Sequence, residues 1–124
     1  MGFKNLKEET EEVLEENKRS WDDIIWIGSQ YGYIDVEDFK DAADQDYDSG
    51  FGEQEVAKDL IIVGRDFIMK RTEYDGSESW DMEMHDQHIK PKSRIHDPKL
   101  FRFEGGVPGE DSLGDLNNWY GHPL

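Results

Sequence analysis

Two segments of the chain carry apolar residues at the spacing of an amphipathic helix. In residues 3–18 the apolar side chains fall near one stripe, and six glutamates cover the remaining surface. The second segment, residues 36–44, follows Asp35, a residue type that caps helix N-termini, and repeats apolar residues at helical spacing. The sequence therefore predicts two helices, each with one face directed to a core.

Short runs rich in β-branched residues predict buried strands. Two such runs, residues 24–27 and 60–63, are each ended by a glycine. Residues 31–34 follow the first run closely enough to return beside it as a hairpin. These segments are expected to form the centre of a β-sheet.

The clearest local structure is a β-hairpin over residues 66–85, where two alternating segments flank Asp75-Gly76, a strong two-residue turn signal. With that turn the facing pairs are Phe67 with Met84, Met69 with Met82, Lys70 with Asp81, Arg71 with Trp80 and Glu73 with Glu78. The Arg71–Trp80 pair predicts a cation–π contact, whereas the last pair is like-charged and unfavourable. A four-residue loop would avoid that clash, and both registers keep the same apolar face.

These elements predict an α+β fold, in which two helices pack on one face of a small antiparallel β-sheet of three to five strands. Residues 1–88 are expected to form a single domain. Residues 89–124 contain all four prolines, so we expect an irregular tail docked on that domain through Trp119 and Tyr120. The predicted core comprises Leu14, Ile25, Ile27, Phe39, Ala43, Leu60, Ile62, Phe67, Met69, Trp80 and Met82.

The composition excludes several classes of protein, among them disulfide-bonded and membrane-spanning proteins. The 124 residues suit one domain, 35% of them are apolar, and the mean hydropathy is −0.92. The absence of cysteine excludes disulfides, thiolate zinc sites and cysteine nucleophiles. No apolar run approaches the roughly 18 residues of a membrane span, and the first twenty residues lack the apolar segment of a secretory signal. We therefore expect a cytoplasmic protein that does not bind membranes.

Charge is the dominant feature of the sequence. Thirty acidic residues against fourteen lysines and arginines give a formal net charge of −16. Residues 35–55 carry a net −8 and residues 73–86 a net −6, whereas residues 89–102 carry a net +4 and form a basic strip. Such a field repels DNA, RNA and anionic lipid, and it is typical of a protein with a basic partner or of adaptation to high salt. We therefore expect no direct binding of nucleic acid.

Within the first acidic segment, seven carboxylates follow a predicted helix and its exit loop. Helical side chains three and four residues apart lie about 5–6 Å from one another, which is comparable to the spacing of phosphates along a nucleic-acid strand. Such a row could enter a groove lined by Lys and Arg and exclude the nucleic acid, with aromatic anchors beside it. The candidate partner-binding residues are Asp35, Glu37, Asp38, Asp41, Asp44, Asp46, Asp48, Tyr47 and Phe51. A solvated face that only maintains solubility is the alternative, and the basic strip could also make the contact.

The same segment matches a calcium-binding pattern. Counting from Asp44, acids occupy positions one, three, five and twelve, as in an EF-hand loop, where alternate side chains converge on one cation. The candidate calcium ligands are Asp44, Asp46, Asp48 and Glu55. Ser49 stands at position six, where the sharp turn of an EF-hand needs glycine. An acidic helix end followed by a glycine-rich turn is therefore the competing interpretation.

A catalytic role has little support in the sequence. His85, His88 and His96, with neighbouring aspartates, offer ligands for a transition metal or a general base, but solvated surface histidines explain them more simply. No phosphate-binding glycine loop or nucleophile motif is present. We therefore predict that the protein is not an enzyme and needs no cofactor, and a metal-dependent enzyme is the least favoured alternative.

A set of motifs occupies the middle of the chain: Tyr47-Asp48-Ser49-Gly50-Phe51-Gly52, Glu55-Val56-Ala57, Asp59-Leu60-Ile61-Ile62-Val63-Gly64 and Glu73-Tyr74-Asp75-Gly76-Ser77-Glu78-Ser79-Trp80. This set resembles small proteins of phages and prophages of Gram-positive bacteria. The resemblance covers about residues 21–85, roughly half of the chain. At residues 67–69 this chain has fewer aromatic residues than the common form of the hairpin.

The resemblance implies a viral accessory protein. Small, acidic, cysteine-free phage proteins often inhibit host defence, and this class includes anti-restriction and anti-CRISPR proteins that mimic nucleic acid. The resemblance therefore implies an inhibitor that binds a host Cas effector or restriction enzyme in the cytoplasm of the infected or lysogenic bacterium, as a monomer or homodimer. It implies no catalytic residue.

Overall fold

The computed structural model describes residues 3–48, 54–74, 77–84, 89–102 and 112–117. In these residues a five-stranded antiparallel sheet and a two-stranded sheet are accompanied by helices, which confirms the predicted α+β class. The strands are β1 (Phe3–Asn5), β2 (Ile24–Ser29), β3 (Gly32–Ile34), β4 (Asp46–Asp48), β5 (Ile61–Gly64), β6 (Phe67–Tyr74) and β7 (Ser77–Met84). The helices are α1 (Leu6–Glu16), α2 (Val36–Ala43) and α3 (Leu113–Leu116), and a 3₁₀ turn spans Trp21–Asp23.

The five-stranded sheet has the strand order β3-β2-β5-β6-β7, with antiparallel neighbours throughout. Strands β2 and β3 form the hairpin that the sequence predicts, with Ile27 opposite Ile34. At the β3 edge, Arg94 forms a parallel bridge to Tyr33 and so extends the sheet. Strand β7 forms the other edge, and β1 pairs with β4 in the separate two-stranded sheet.

The β6–β7 hairpin has the register predicted for a two-residue turn. The facing pairs include Phe67 with Met84, Met69 with Met82 and Arg71 with Trp80. The predicted cation–π contact is present, with the guanidinium carbon of Arg71 4.7 Å from the centroid of the indole ring. The turn residues 75 and 76 lie outside the described residues. The like-charged pair is tolerated because Glu78 is buried and bonded to Arg71, whereas Glu73 is exposed.

Helix α1 begins at Leu6, so the prediction of a helix from residue 3 is wrong for its first turn. Residues 3–5 form β1 instead, and Asn5 caps the helix because its side-chain oxygen accepts the backbone N–H of Glu8 at 3.0 Å. The backbone N–H of Leu6 donates to the carbonyl of Gln45 at 3.3 Å. These contacts tie the start of α1 to the segment that follows α2.

Helices α1 and α2 pack on one face of the five-stranded sheet, as predicted. Leu14 of α1 and Phe39 of α2 belong to the same buried cluster as Ile27, Ile62 and Met69 of the sheet. Segments beyond residue 88 add further side chains to this cluster: Ile95, Leu100, Phe101, Leu113 and Leu116. These residues are absent from the predicted core, because proline-rich segments carry no periodic signal.

The prediction that Ile25 belongs to the core is wrong, since this residue is 58% exposed. The register of β2 against β5 shifts between Ile24 and Trp26, as at a β-bulge, and the alternation of side chains changes there. Trp26 alternates with the core residue Ile27 and so lies on the face of the sheet away from α1 and α2, where it clusters with Val63 and Ile68.

Candidate functional site

The acidic residues predicted to bind a partner lie on α2, at its two ends and on β4. We refer to them as the acidic ridge: Asp35, Glu37, Asp38, Asp41, Asp44, Asp46 and Asp48. All of them except Asp38 and Asp48 are exposed, and these two are half-buried. Helical spacing separates the carboxylates of α2 by three or four residues, and strand spacing puts both carboxylates of β4 on one side. The acidic ridge is thus continuous in sequence, over residues 35–48, and its carboxylates lie on both α2 and β4.

Arg94 binds two members of the acidic ridge. Its Nη2 atom lies 2.8 Å from Asp35 Oδ2 and 2.6 Å from Asp38 Oδ2. Backbone hydrogen bonds of 2.9 and 2.7 Å between Tyr33 and the residues flanking Arg94 hold it in reach. The Asp35 side chain makes no capping bond to α2, so its predicted capping role is wrong, and it pairs with Arg94 instead. Two ridge charges are therefore compensated within the chain.

An open groove of about 370 Å³ lies beside this arginine contact. It is lined by Asp38, Asp41, Ala42, Asp97, Pro98 and Lys99. Small-molecule sites are usually concave and mostly apolar. A groove with three carboxylates and one ammonium group instead suits polar side chains of a protein partner.

Tyr47 is not available as a surface anchor, so that prediction is wrong. Strand alternation directs Tyr47 inward, where it is 2% exposed, and leaves Asp46 exposed. Its hydroxyl donates to a carboxylate oxygen of Glu9 and accepts a hydrogen bond from Arg71 Nη2 at 2.9 Å. Phe51, the second predicted anchor, lies outside the described residues. Tyr47 therefore does not act as an aromatic anchor beside the acidic ridge.

The contacts of Tyr47 belong to a buried group of charged residues. We refer to Glu9, Tyr47, Arg71, Glu78 and Trp80 as the buried ion cluster. The Arg71 side chain is fully buried, with Nη1 3.3 Å from Glu9 Oε2 and Nη2 3.1 Å from Glu78 Oε1. Glu9 Oε2 also accepts the backbone N–H of Trp80 at 3.1 Å. The cluster thereby connects α1, β4, β6 and β7.

Within the buried ion cluster one guanidinium faces two carboxylates. Glu78 also accepts the backbone N–H groups of Glu55 and Val56 at 2.5 and 3.2 Å. Burial nevertheless raises the pKa of the Glu78 carboxyl above its usual value, because the N–H of Glu55 and the guanidinium of Arg71 oppose it only in part. Burial also raises the pKa of the Tyr47 hydroxyl above its usual range. Tyr47 therefore stays protonated, and its hydrogen bonds to Glu9 and Arg71 hold β4, with its ridge carboxylates, against the core.

The candidate calcium ligands do not have an EF-hand arrangement. Asp46 and Asp48 lie in strand β4, which pairs with β1 instead of curling around a cation. Asp44 Oδ1 accepts a hydrogen bond of 3.0 Å from the side-chain amide of Asn5 in β1, and Glu55 Oε1 lies 3.9 Å from Arg102 Nη2. Among the residues that the structure describes, which include all four candidates, no group of three or more acidic or histidine side chains could hold a metal ion.

The histidines considered for a metal-dependent enzyme are only partly described. His85 and His88 lie outside the described residues, and His96 is exposed. A catalytic base needs a pocket and an oriented partner around it. His96 is absent from the lining of the 370 Å³ groove, although its neighbour Asp97 contributes to it.

The sequence predicts neither the buried ion cluster nor the Arg94 contact. Strand alternation was a usable signal for Glu78, because it puts this residue on the same face as Trp80. No comparable signal marks Glu9, because α1 contains five other glutamates and the sequence does not distinguish Glu9 from them. Arg94 lies 56 residues from its partner Asp38, and no local pattern specifies a contact over that separation.

Comparison of the chain with known proteins finds no matching family model, no matching curated protein and no matching solved structure. In the described part of the chain, no helix is both long and apolar enough to cross a membrane.

Proposed function

We propose that this protein is a phage-encoded acidic inhibitor whose acidic ridge binds the basic nucleic-acid-binding groove of a host protein, such as a Cas effector or a restriction enzyme, in the bacterial cytoplasm. The observation that supports this function is the guanidinium already held by the ridge. Asp35 and Asp38 hold Arg94 at 2.8 and 2.6 Å. The same carboxylate geometry suits the arginines and lysines with which a host protein holds phosphates.

Other exposed carboxylates of the acidic ridge are available to a partner. Asp41 and Asp46 are exposed and have no ion-pair partner within the described residues. Glu37 lies 3.5 Å from Lys40, but its side chain is 83% exposed, so water screens that pair strongly. Each of these carboxylates can replace a phosphate oxygen as the acceptor for a cationic side chain.

The net charge adds a long-range contribution. A formal charge of −16 attracts a basic groove before contact, which raises the association rate and makes it fall with salt. The buried hydroxyl of Tyr47 holds β4 through Glu9 and Arg71. A ridge held in this way loses little conformational entropy when it binds, which favours affinity.

Two charge-reversed proteins test the proposal, and they differ only in where the charge is changed. In the ridge variant the substitutions are Asp41→Lys, Asp44→Lys and Asp46→Lys. In the control variant they are Glu12→Lys, Glu15→Lys and Glu16→Lys, at exposed positions of α1. Both sets change the formal net charge from −16 to −10, since each substitution adds two charge units. Circular dichroism and melting temperatures verify that both variants fold.

The assay is affinity capture from bacterial lysate at low salt, with duplex DNA as a competitor, followed by a cleavage assay on the captured protein. We expect the wild type and the control variant to capture a nucleic-acid-binding protein, to release it when salt or DNA is added, and to inhibit its activity. We expect the ridge variant to capture at least about tenfold less. Equal capture by the ridge variant, or equal losses in both variants, would remove the ridge from the mechanism.

A further inference from the structure

Strand β7 is an edge of the five-stranded sheet. In an antiparallel ladder, alternate residues direct both backbone N–H and C=O groups away from the paired strand. The N–H of Trp80 identifies these residues, because it donates to Glu9 Oε2 of α1 at 3.1 Å and so points away from β6. The residues of β7 whose backbone groups point outward are therefore Glu78, Trp80, Met82 and Met84.

Helix α1 covers only part of this edge. Two residues of this helix bind Trp80. Glu9 accepts its backbone N–H, and Thr10 Oγ1 accepts its indole N–H at 2.9 Å. Further along β7, the outward backbone groups of Met82 and Met84 have no hydrogen-bond partner among the described residues, and Met84 is 63% exposed. We refer to residues 81–84 as the open β7 edge.

The open β7 edge presents a different chemistry on each face. Met82 and Met84 lie on the face that carries the core, whereas Asp81 and Glu83 lie on the other face. Asp81 is exposed, and Glu83 stays half-exposed although its carboxylate lies 3.9 Å from Lys70 Nζ. An added strand would therefore meet methionines on one face and carboxylates on the other.

A second copy of this chain fits the edge poorly. If two β7 strands paired antiparallel about Met82, Asp81 of each copy would lie opposite Glu83 of the other. Like charges directly opposite one another destabilise a strand pair, and a net charge of −16 on each copy adds long-range repulsion. Acidic side chains thus protect the edge against self-association but leave it open to a strand of opposite charge.

We propose that the open β7 edge binds an extended basic segment of a partner protein, which adds one strand to the sheet. In that segment, Lys or Arg would lie opposite Asp81 and Glu83, and apolar residues would lie opposite Met82 and Met84. The recognition pattern is therefore an alternation of basic and apolar residues. This surface lies on β7, whereas the acidic ridge lies on α2 and β4, so the two proposals can fail independently.

A synthetic peptide of alternating lysine and valine, about nine residues long, is the probe for this edge. Its matched control carries N-methyl groups on the valines, which keeps the charge but removes the N–H donors that would face β7. Binding of both peptides is measured by calorimetry, and amide hydrogen exchange of Met82 and Met84 locates the contact. The protein variants are Met84→Pro, which removes the outward N–H and the methionine side chain but no hydrogen bond to β6, and the pair Asp81→Lys with Glu83→Lys.

We expect the unmodified peptide to bind at least about tenfold more tightly than the N-methylated one and to protect the amides of Met82 and Met84. The Met84→Pro protein and the doubly charge-reversed protein should each bind it about tenfold or more weakly. The charge-reversed protein also places two lysine charges beside Lys70, so its melting temperature should fall, and circular dichroism verifies that it stays folded. The ridge variant defined above should change the affinity by less than about threefold. Equal binding of both peptides, or an equal loss in the ridge variant, would show attraction by net charge alone and overturn the proposal.

Discussion

The buried ion cluster allows a prediction about stability that depends on one side chain. The substitution Arg71→Met removes the guanidinium that Glu9 and Glu78 share at 3.3 and 3.1 Å, and it leaves an unbranched apolar side chain in place of the aliphatic part of arginine. Both carboxylates then remain buried without this cation. The perturbation therefore isolates the charge of Arg71 more than its volume.

The expected loss follows from the contacts of Arg71. Removing one partner of a buried ion pair costs about 3–5 kcal/mol, because the remaining charge is left uncompensated. The guanidinium also lies 4.7 Å from the Trp80 ring centroid, and a desolvated cation–π contact contributes about 2 kcal/mol. Methionine recovers part of the packing, so we expect the free energy of unfolding at neutral pH to fall by about 4 kcal/mol. A typical domain has only about 5–15 kcal/mol in total.

The loss should become smaller as the pH falls. Burial already raises the pKa of Glu78 in the wild type, and without Arg71 this pKa rises further. A carboxyl whose pKa is raised by folding stabilises the folded state below its unfolded pKa of about 4.3, and this contribution is lost as the pH rises through the folded value. The variant should therefore regain stability between neutral pH and about pH 4.3, by about 1.4 kcal/mol for each unit of additional shift.

Urea unfolding followed by tryptophan fluorescence at several pH values measures both effects. Arg65→Met is the matched control, because Arg65 is exposed, and we expect it to change the free energy of unfolding by less than about 0.5 kcal/mol. A loss below about 1 kcal/mol for Arg71→Met, or a loss that does not change with pH, would refute the idea that this guanidinium compensates two buried carboxylates.

Two further tests concern the bulge in β2 and the contact between α1 and β7. Ile25→Lys should change the free energy of unfolding by less than about 0.5 kcal/mol, whereas Ile27→Ala should reduce it by about 2–5 kcal/mol; similar losses in thermal melting would contradict the exposed bulge. Thr10→Val should cost about 1–3 kcal/mol, because the buried indole N–H of Trp80 loses its acceptor. Hydrogen exchange of that indole proton should accelerate, and an unchanged rate would show that the bond is not made.

Local patterns determined much of the fold, because the interactions involved are close in sequence. The apolar spacing after Asp35 predicts α2, and the structure places it at Val36–Ala43. Alternation about Asp75-Gly76 predicts the faces of β6 and β7. Of the two registers that it leaves open, the structure has the one with a two-residue turn, in which Arg71 contacts Trp80. The charge of the acidic segment is likewise a property of the sequence alone.

Tertiary structure decided which of these residues face water and which of their charges are compensated by an ion pair. Tyr47 is buried because β4 pairs with β1 and directs alternate side chains inward, toward Glu9 and Arg71. Ile25 is exposed because a bulge changes the alternation of β2 against its partner strand. Arg94 compensates two ridge carboxylates only because its segment lies along β3. Each outcome depends on strand pairing or ion pairing between segments far apart in the chain, for which local spacing carries no information.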